Sequence, residues 1–126
     1  MKKLKPVVLA LLTALVLKLF IFDIIIVQGD SMEPVIKSGS VLVISRLRYG
    51  FKLPWMRQYL IRWALPKEGE VLLFYAPAGD KVIKRCVEIS GNNNFFAEGD
   101  NSLASYDSRS YGPVHVDNII GKVLGR

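Results

Sequence analysis

Lys2, Lys3 and Lys5 precede an apolar run from Val7 to Leu17 that resumes after Lys18 as Leu19–Phe22. Val7–Phe22 is 16 residues, about 24 Å as an α-helix, a short span for a hydrocarbon layer about 30 Å thick. Leu4 and the interfacial ends extend it, and Lys18 reaches the headgroups along its aliphatic stem. The leading lysines predict a cytoplasmic N-terminus and place the bulk of the chain on the other side of the membrane. No small-x-small cleavage site succeeds the run, which continues Leu17-Lys-Leu-Phe-Ile-Phe-Asp-Ile-Ile-Ile26. An uncleaved anchor over residues 1–23 is therefore expected instead of a removed leader. The lysine cluster also argues against the core helix of a soluble protein.

Beyond the anchor the chain reads as short strands. Ile24–Val27 is β-branched and opens a strand where the chain leaves the bilayer. Val41–Ile44, Val71–Tyr75 and Lys81–Ile89 are further strands, with Asn94–Ala97 and Ile119–Leu124 as shorter ones. Gly and Pro separate them, which predicts a mainly β domain over residues 24–126, a small barrel or sandwich. In Lys81–Ile89, alternation puts Val82, Lys84, Cys86 and Glu88 on one face and Ile83, Arg85, Val87 and Ile89 on the other.

Composition narrows the chemistry. The lone cysteine, Cys86, excludes an internal disulfide framework and a cysteine-based zinc site. The lone histidine, His115, argues against a multi-histidine metal centre and leaves a catalytic base to another residue type. Net charge is +6, which favours an anionic neighbour. The charge is concentrated: Val35–Leu65 has no acidic residue but carries Lys37, Arg46, Arg48, Lys52, Arg57 and Arg62, interleaved with Tyr49, Phe51, Trp55, Tyr59 and Trp63. Met56, Leu60 and Trp63 fit a helical apolar face. Three readings remain for this stretch, bounded as 45–66: a membrane-interfacial insertion, a solvated loop, or a nucleic-acid surface. The adjacent anchor makes lipid the nearer anion, so no nucleic acid is expected as partner.

Two segments carry nucleophile chemistry. Gly29-Asp-Ser-Met-Glu-Pro34 presents Ser31 in a turn between Gly and Pro; taken alone, most such serines are turn residues. Lys81-Val-Ile-Lys-Arg-Cys86 puts Lys84 on a strand. A lysine buried there loses part of its preference for the charged form and becomes a base for a serine; an exposed one is merely a surface lysine. A third segment runs Gly99-Asp-Asn101, then Ser105-Tyr-Asp-Ser-Arg109 and Gly112.

Together with the N-terminal anchor, these three boxes in this order resemble bacterial type I signal peptidases, and the resemblance covers nearly the whole chain. It implies a signal-peptidase-like β-barrel or sandwich catalytic domain behind one transmembrane helix. Position by position, it implies Ser31 as nucleophile, Lys84 as general base and Ser105 as the hydroxyl that orients that lysine. Asp107 and Arg109 match an ion pair that shapes the site, Asp100 is expected to pair with Arg85, and Met32 lines the substrate cleft. No cofactor and no metal are implied, and His115 is read as a surface residue. The implied activity is a serine endopeptidase of the cell (inner or plasma) membrane that removes signal peptides from translocated preproteins. Preprotein signal peptides and membrane lipid are the implied partners, and the protein-translocation machinery is a further candidate for the basic stretch.

The chain also departs from the family pattern. Gly29 stands where some members carry a serine whose hydroxyl helps form the oxyanion hole, so backbone N–H groups, that of Ser31 included, are left to form it. Val35 replaces a threonine common in the family, and 126 residues leave no room for the large second β-domain of some members. Two relatives in chemistry stand as alternatives: a specialised peptidase with a single substrate such as a conjugative pilin, and a self-cleaving repressor of the SOS-response type. Against the latter, Ala78-Gly79 lies between Ser31 and Lys84 and not upstream of the serine.

Overall fold

The computed structural model describes residues 2–126; Met1, the first residue of the expected anchor, lies outside them. The apolar run forms helix α1 (Leu4–Val16), which continues as a wider π-turn over Leu17–Ile21. Together they make one 18-residue span, Leu4–Ile21, with a mean hydropathy of 2.2 and no buried residue. The helix starts earlier than the apolar run suggests. Its side chains all face outward, as an apolar span needs when lipid is its solvent.

Strand β1 (Phe22–Ile26) begins directly where the π-turn stops, ahead of the boundary expected after Asp23. Asp23 faces inward, where Arg46 Nη2 donates to its Oδ2 at 2.6 Å, and Arg46 N–H donates to the Ile21 carbonyl. These bonds tie the end of the span to β2 (Val41–Ser45), the antiparallel neighbour of β1.

The remaining strands are β3 (Gly50–Phe51), β4 (Ile61–Arg62), β5 (Val71–Tyr75), β6 (Lys81–Ser90), β7 (Asn94–Glu98), β8 (Val114–His115) and β9 (Ile119–Val123). Seven of the nine form one antiparallel sheet in the order β1-β2-β9-β5-β6-β7-β8, while β3 and β4 pair as a separate hairpin. The mainly β expectation holds, with one curled sheet behind one apolar helix. Strand β5 sits at the centre and is covered on both faces. Val71 and Leu73 pack with Ile36, Leu42, Ile44 and Val123, whereas Leu72 and Phe74 pack with Tyr49, Phe95, Val114 and Ile119. A strand buried on both sides reads as a continuous apolar run, which Val71-Leu-Leu-Phe-Tyr75 is.

The alternation expected for β6 holds only to Cys86. Cys86 pairs with Ala97, but Glu88 pairs with Phe96, so Val87 is an extra residue on this strand. The bulge reverses the facing of the later residues: Ile89 joins Cys86 in the second core and does not share a face with Ile83, which packs on the first.

The basic aromatic stretch forms no helix, contrary to the Met56–Leu60–Trp63 pattern. Its backbone bonds run across the β3–β4 hairpin, from Leu60 N–H to the Phe51 carbonyl and from Trp63 N–H to that of Tyr49. Gly50 is required there because a Cβ would strike the facing backbone at Ile61 and Arg62. The aromatics divide by side. Tyr49 is buried in the second core and its hydroxyl donates to Glu70, while Trp55 and Trp63 are 76% and 56% exposed. Beneath the hairpin, Lys52 Nζ donates to the Asp117 carbonyl at 2.9 Å and lies 4.3 Å from the centre of the Tyr59 ring.

Candidate active site

The Ser31 turn comes after the end of β1, where Val27 is anchored by its N–H to the Ser40 carbonyl. Gly29 has φ +89° with open space where a Cβ would stand. Glycine is therefore needed for the backbone conformation and not for clearance. Met32 is turned into the first core, 1% exposed, which fixes the residue after Ser31.

The third box packs onto this turn at three points. Asn101 N–H donates to the Ser31 carbonyl at 2.8 Å. Asn101 Nδ2 donates to the Asp30 carbonyl at 3.0 Å, and Asp100 N–H reaches Met32 Sδ at 3.4 Å. Gly99 lies between the two boxes: a Cβ there would collide with the Ser105 side chain and the Ser31 carbonyl. In the sequence Gly99 and Asn101 are members of a motif, with no signal that gives either one a task. The clearance and the two hydrogen bonds supply one: they hold the Ser31 turn against the Ser105 loop.

Lys84 sits on β6 opposite Leu72 and is 5% exposed. Its Nζ donates to Ser105 Oγ at 3.1 Å, and Ser105 Oγ donates to Asp107 Oδ2 at 2.5 Å. Burial lowers the Lys84 pKa below the ordinary lysine value, with Arg109 acting in the same direction; the Asp107 and Asp80 charges pull the other way without reversing it. Asp107 is wholly buried. Burial works against its charge, but the Arg109 guanidinium, the Ser105 hydroxyl and the N–H groups of Gly99 and Arg109 outweigh it and hold the carboxyl well below the usual carboxylate range. Asp107 thereby also caps the short helix α2 (Ser108–Tyr111). Arg85, on the other face of β6, forms a two-pronged pair with Asp100 at 2.9 and 2.8 Å. His115 is exposed and contacts Asp117, away from this network.

Ser31 and Lys84 line one open cleft of about 480 Å³. Its walls are Ile25–Met32 on one side and Asp80–Lys84 on the other, with Leu73 and Ala104 completing it. Successive strand side chains point to opposite faces, so runs of consecutive residues line a groove only along strand edges. Both edges are unpaired: β1 ends the sheet, and β6 pairs with β7 only from Arg85 onward. A serine hydroxyl and a buried, hydrogen-bonded amine thus share a groove bounded by two unpaired strand edges. Among the described residues, no group of three or more His, Cys, Asp or Glu side chains is placed to hold a metal ion.

The chain matches the family described as "Signal peptidase, peptidase S26" over residues 1–93 and 91–126, which is its full length. The chain belongs to the signal peptidase family, peptidase S26. It is similar to Signal peptidase I of Bacillus caldolyticus, 25% identical with 94% of this chain and 86% of that protein covered. It is also similar to Signal peptidase I of Pseudomonas fluorescens (30% identical, 65% of this chain) and of Haemophilus influenzae (30% identical, 82% of this chain). Those two are much longer: the chain spans 30% and 28% of their lengths. Membership of peptidase S26 makes the chain a serine endopeptidase by class, and its one apolar helix fits a membrane anchor.

Proposed function

We propose that this peptidase is anchored by the span Leu4–Ile21, with its N-terminus in the cytoplasm, and removes signal peptides from translocated preproteins with Ser31 as nucleophile and Lys84 as general base. The observation that carries the reading is the environment of Lys84: buried, hydrogen-bonded to Ser105, and on the same cleft as Ser31. Neutral Lys84 takes the Ser31 proton as Oγ attacks the scissile carbonyl. Backbone N–H groups, that of Ser31 among them, stabilise the oxyanion. Lys84 then gives the proton to the leaving amine, and a water deprotonated by Lys84 hydrolyses the Ser31 ester. The substrate lies extended between the β1 and β6 edges, with backbone partners on both sides. Ile25, Val27, Leu73 and Ile83 offer an apolar wall suited to the small residues that precede signal-peptide cleavage sites.

The test uses the full chain in detergent with a model preprotein. Ser31→Ala and Lys84→Ala are each expected to abolish cleavage while circular dichroism stays that of the parent, and His115→Ala is expected to remain active. Cleavage by either of the first two at a tenth of the parent rate would refute the dyad.

The hairpin within residues 45–66 holds the domain at the outer headgroup layer. Trp55, Leu60, Ile61 and Trp63 are each exposed, as are Arg48 and Arg57 of the same stretch, the combination that suits a lipid interface. Phe22, Ile24, Ile26, Val41 and Val43 form an exposed apolar face continuous with the end of the span, so the same bilayer covers both.

A further inference from the structure

The cleft has a direction. Ile25–Val27 and Asp80–Ile83 form one end, Ser31 and Lys84 the middle, and Ala104 belongs to the loop that packs on the far side of Ser31 through Asn101. If the acyl side of a substrate runs along β1 and β6 towards Ser31, its amine side continues past Lys84 towards Ala104. Ala104 closes a 3-10 turn, Ser102–Ala104. Leu103, in the middle of that turn, is 99% exposed, and Tyr106 is 70% exposed.

A single exposed leucine needs no explanation. This one shares a loop with a second large exposed side chain, at the rim of a cleft, and the loop is held in place from within. Ser105 is bound to Lys84 and Asp107, and Asp107 to the Gly99 N–H. The Tyr106 ring rests edge-on against Tyr111 with centroids 5.3 Å apart. Two apolar groups are therefore presented on a rigid frame, and a preorganised surface binds without first being ordered.

We infer that Leu103 and Tyr106 form an apolar lip that receives the substrate residues just after the scissile bond, so the enzyme discriminates on the mature side of the cut as well as on the signal-peptide side. The inference rests on the endopeptidase reading above. It names the occupant as the substrate's own chain because the lip continues the cleft through Ala104, whereas the apolar faces assigned to lipid lie on β1, β2 and the β3–β4 hairpin.

The test uses the full chain in detergent and two quenched-fluorescence peptides that are identical up to the scissile bond. One carries two leucines directly after it, the other two serines. The parent is expected to cut the leucine peptide with kcat/KM about tenfold higher, the scale for partly burying such side chains. Leu103→Ser is expected to bring that ratio below threefold, chiefly through KM, and Leu103→Met to restore it. Leu103 makes no packing contact to lose, and circular dichroism checks the fold. A parent with no preference, or a Leu103→Ser variant with an unchanged ratio, overturns the lip. So does a loss confined to vesicle-embedded substrate, which would make Leu103 a lipid contact. A parent that cuts neither peptide removes the endopeptidase reading and the lip with it. Ser31→Ala, inert on both peptides, confirms that the ratio measures this site.

Discussion

Lys84 donates to Ser105 at 3.1 Å, and Ser105 has already committed its own hydrogen to Asp107. The Ser105 oxygen is thus fixed as an acceptor, and one Lys84 N–H must point at it. In the neutral amine this steers the lone pair away from Ser105 and into the cleft shared with Ser31. Ser105→Ala removes the steering without touching the amine. We expect kcat to fall about tenfold to a hundredfold with little change in KM, since one hydrogen bond in a general-base arrangement is lost. Single-turnover cleavage measures this, and an unchanged kcat would make the Lys84–Ser105 bond incidental.

The pH profile derives from the same lysine. Below its folded-state pKa Lys84 is an ammonium and cannot accept the Ser31 proton; above it the amine is free. Burial lowers that pKa, so activity should climb with pH and level off with a midpoint below the ordinary lysine value of about 10.4. A profile of kcat/KM against pH still rising beyond that value contradicts the assignment.

Asp107 governs both stability and site shape. Asp107→Ala leaves the Gly99 N–H and the Arg109 guanidinium without their acceptor and should cost about 3 kcal/mol of unfolding free energy. Because the folded-state carboxyl is depressed, its contribution is present above the unfolded-state pKa and disappears as pH falls through the folded-state value. Asp107→Asn should therefore flatten the loss of stability in acid. Denaturant titrations at neutral pH and at about pH 3 compare the two variants with the parent.

Gly29 is held at φ +89°, a region that costs a residue with a Cβ about 1 kcal/mol or more. Placing a serine there to supply an oxyanion hydroxyl is thus expected to fail. Gly29→Ser and Gly29→Ala should both lower kcat/KM several-fold, the serine doing no better than the alanine. A Gly29→Ser enzyme faster than the parent would mean that the turn tolerates the side chain and that its hydroxyl finds the oxyanion.

Trp55 and Trp63 are the chain's two tryptophans, so intrinsic fluorescence reports on the hairpin alone. In vesicles containing anionic lipid, headgroup-labelled quencher should dim the emission of the full chain. Trp55→Ser combined with Trp63→Ser should lower cleavage of membrane-embedded preprotein more than that of a short soluble peptide. Unquenched emission with equal losses on both substrates would return the hairpin to a solvated loop.

Local pattern determined a good deal. The apolar run behind three lysines specifies a helix whose whole surface is apolar, and the β-branched stretches around Ile24 and Val41 and the apolar run Val71–Tyr75 specify strands, because backbone propensity and side-chain period act over a few residues. The types and order of the chemistry-bearing residues, a serine in a glycine-led turn and a lysine on a strand, were equally legible.

The tertiary structure decided which side of each strand is covered and which residues meet across sequence distance. Alternation alone left Lys84 either buried or exposed; it is buried because β5 pairs with β6 at Leu72 and the Ser105 loop, rather than β7, closes over its other side. The bulge at Val87 moves Ile89 into the second core through the pairing of β7, which nothing within β6 announces. Tyr49 and Trp55 belong to one basic aromatic stretch, yet one is core and the other surface, since only Tyr49 meets Glu70 and the β5 face. Burial and hydrogen-bond partners come from strand order and loop closure, which join residues 31, 84 and 105, and no local periodicity encodes those long-range pairings.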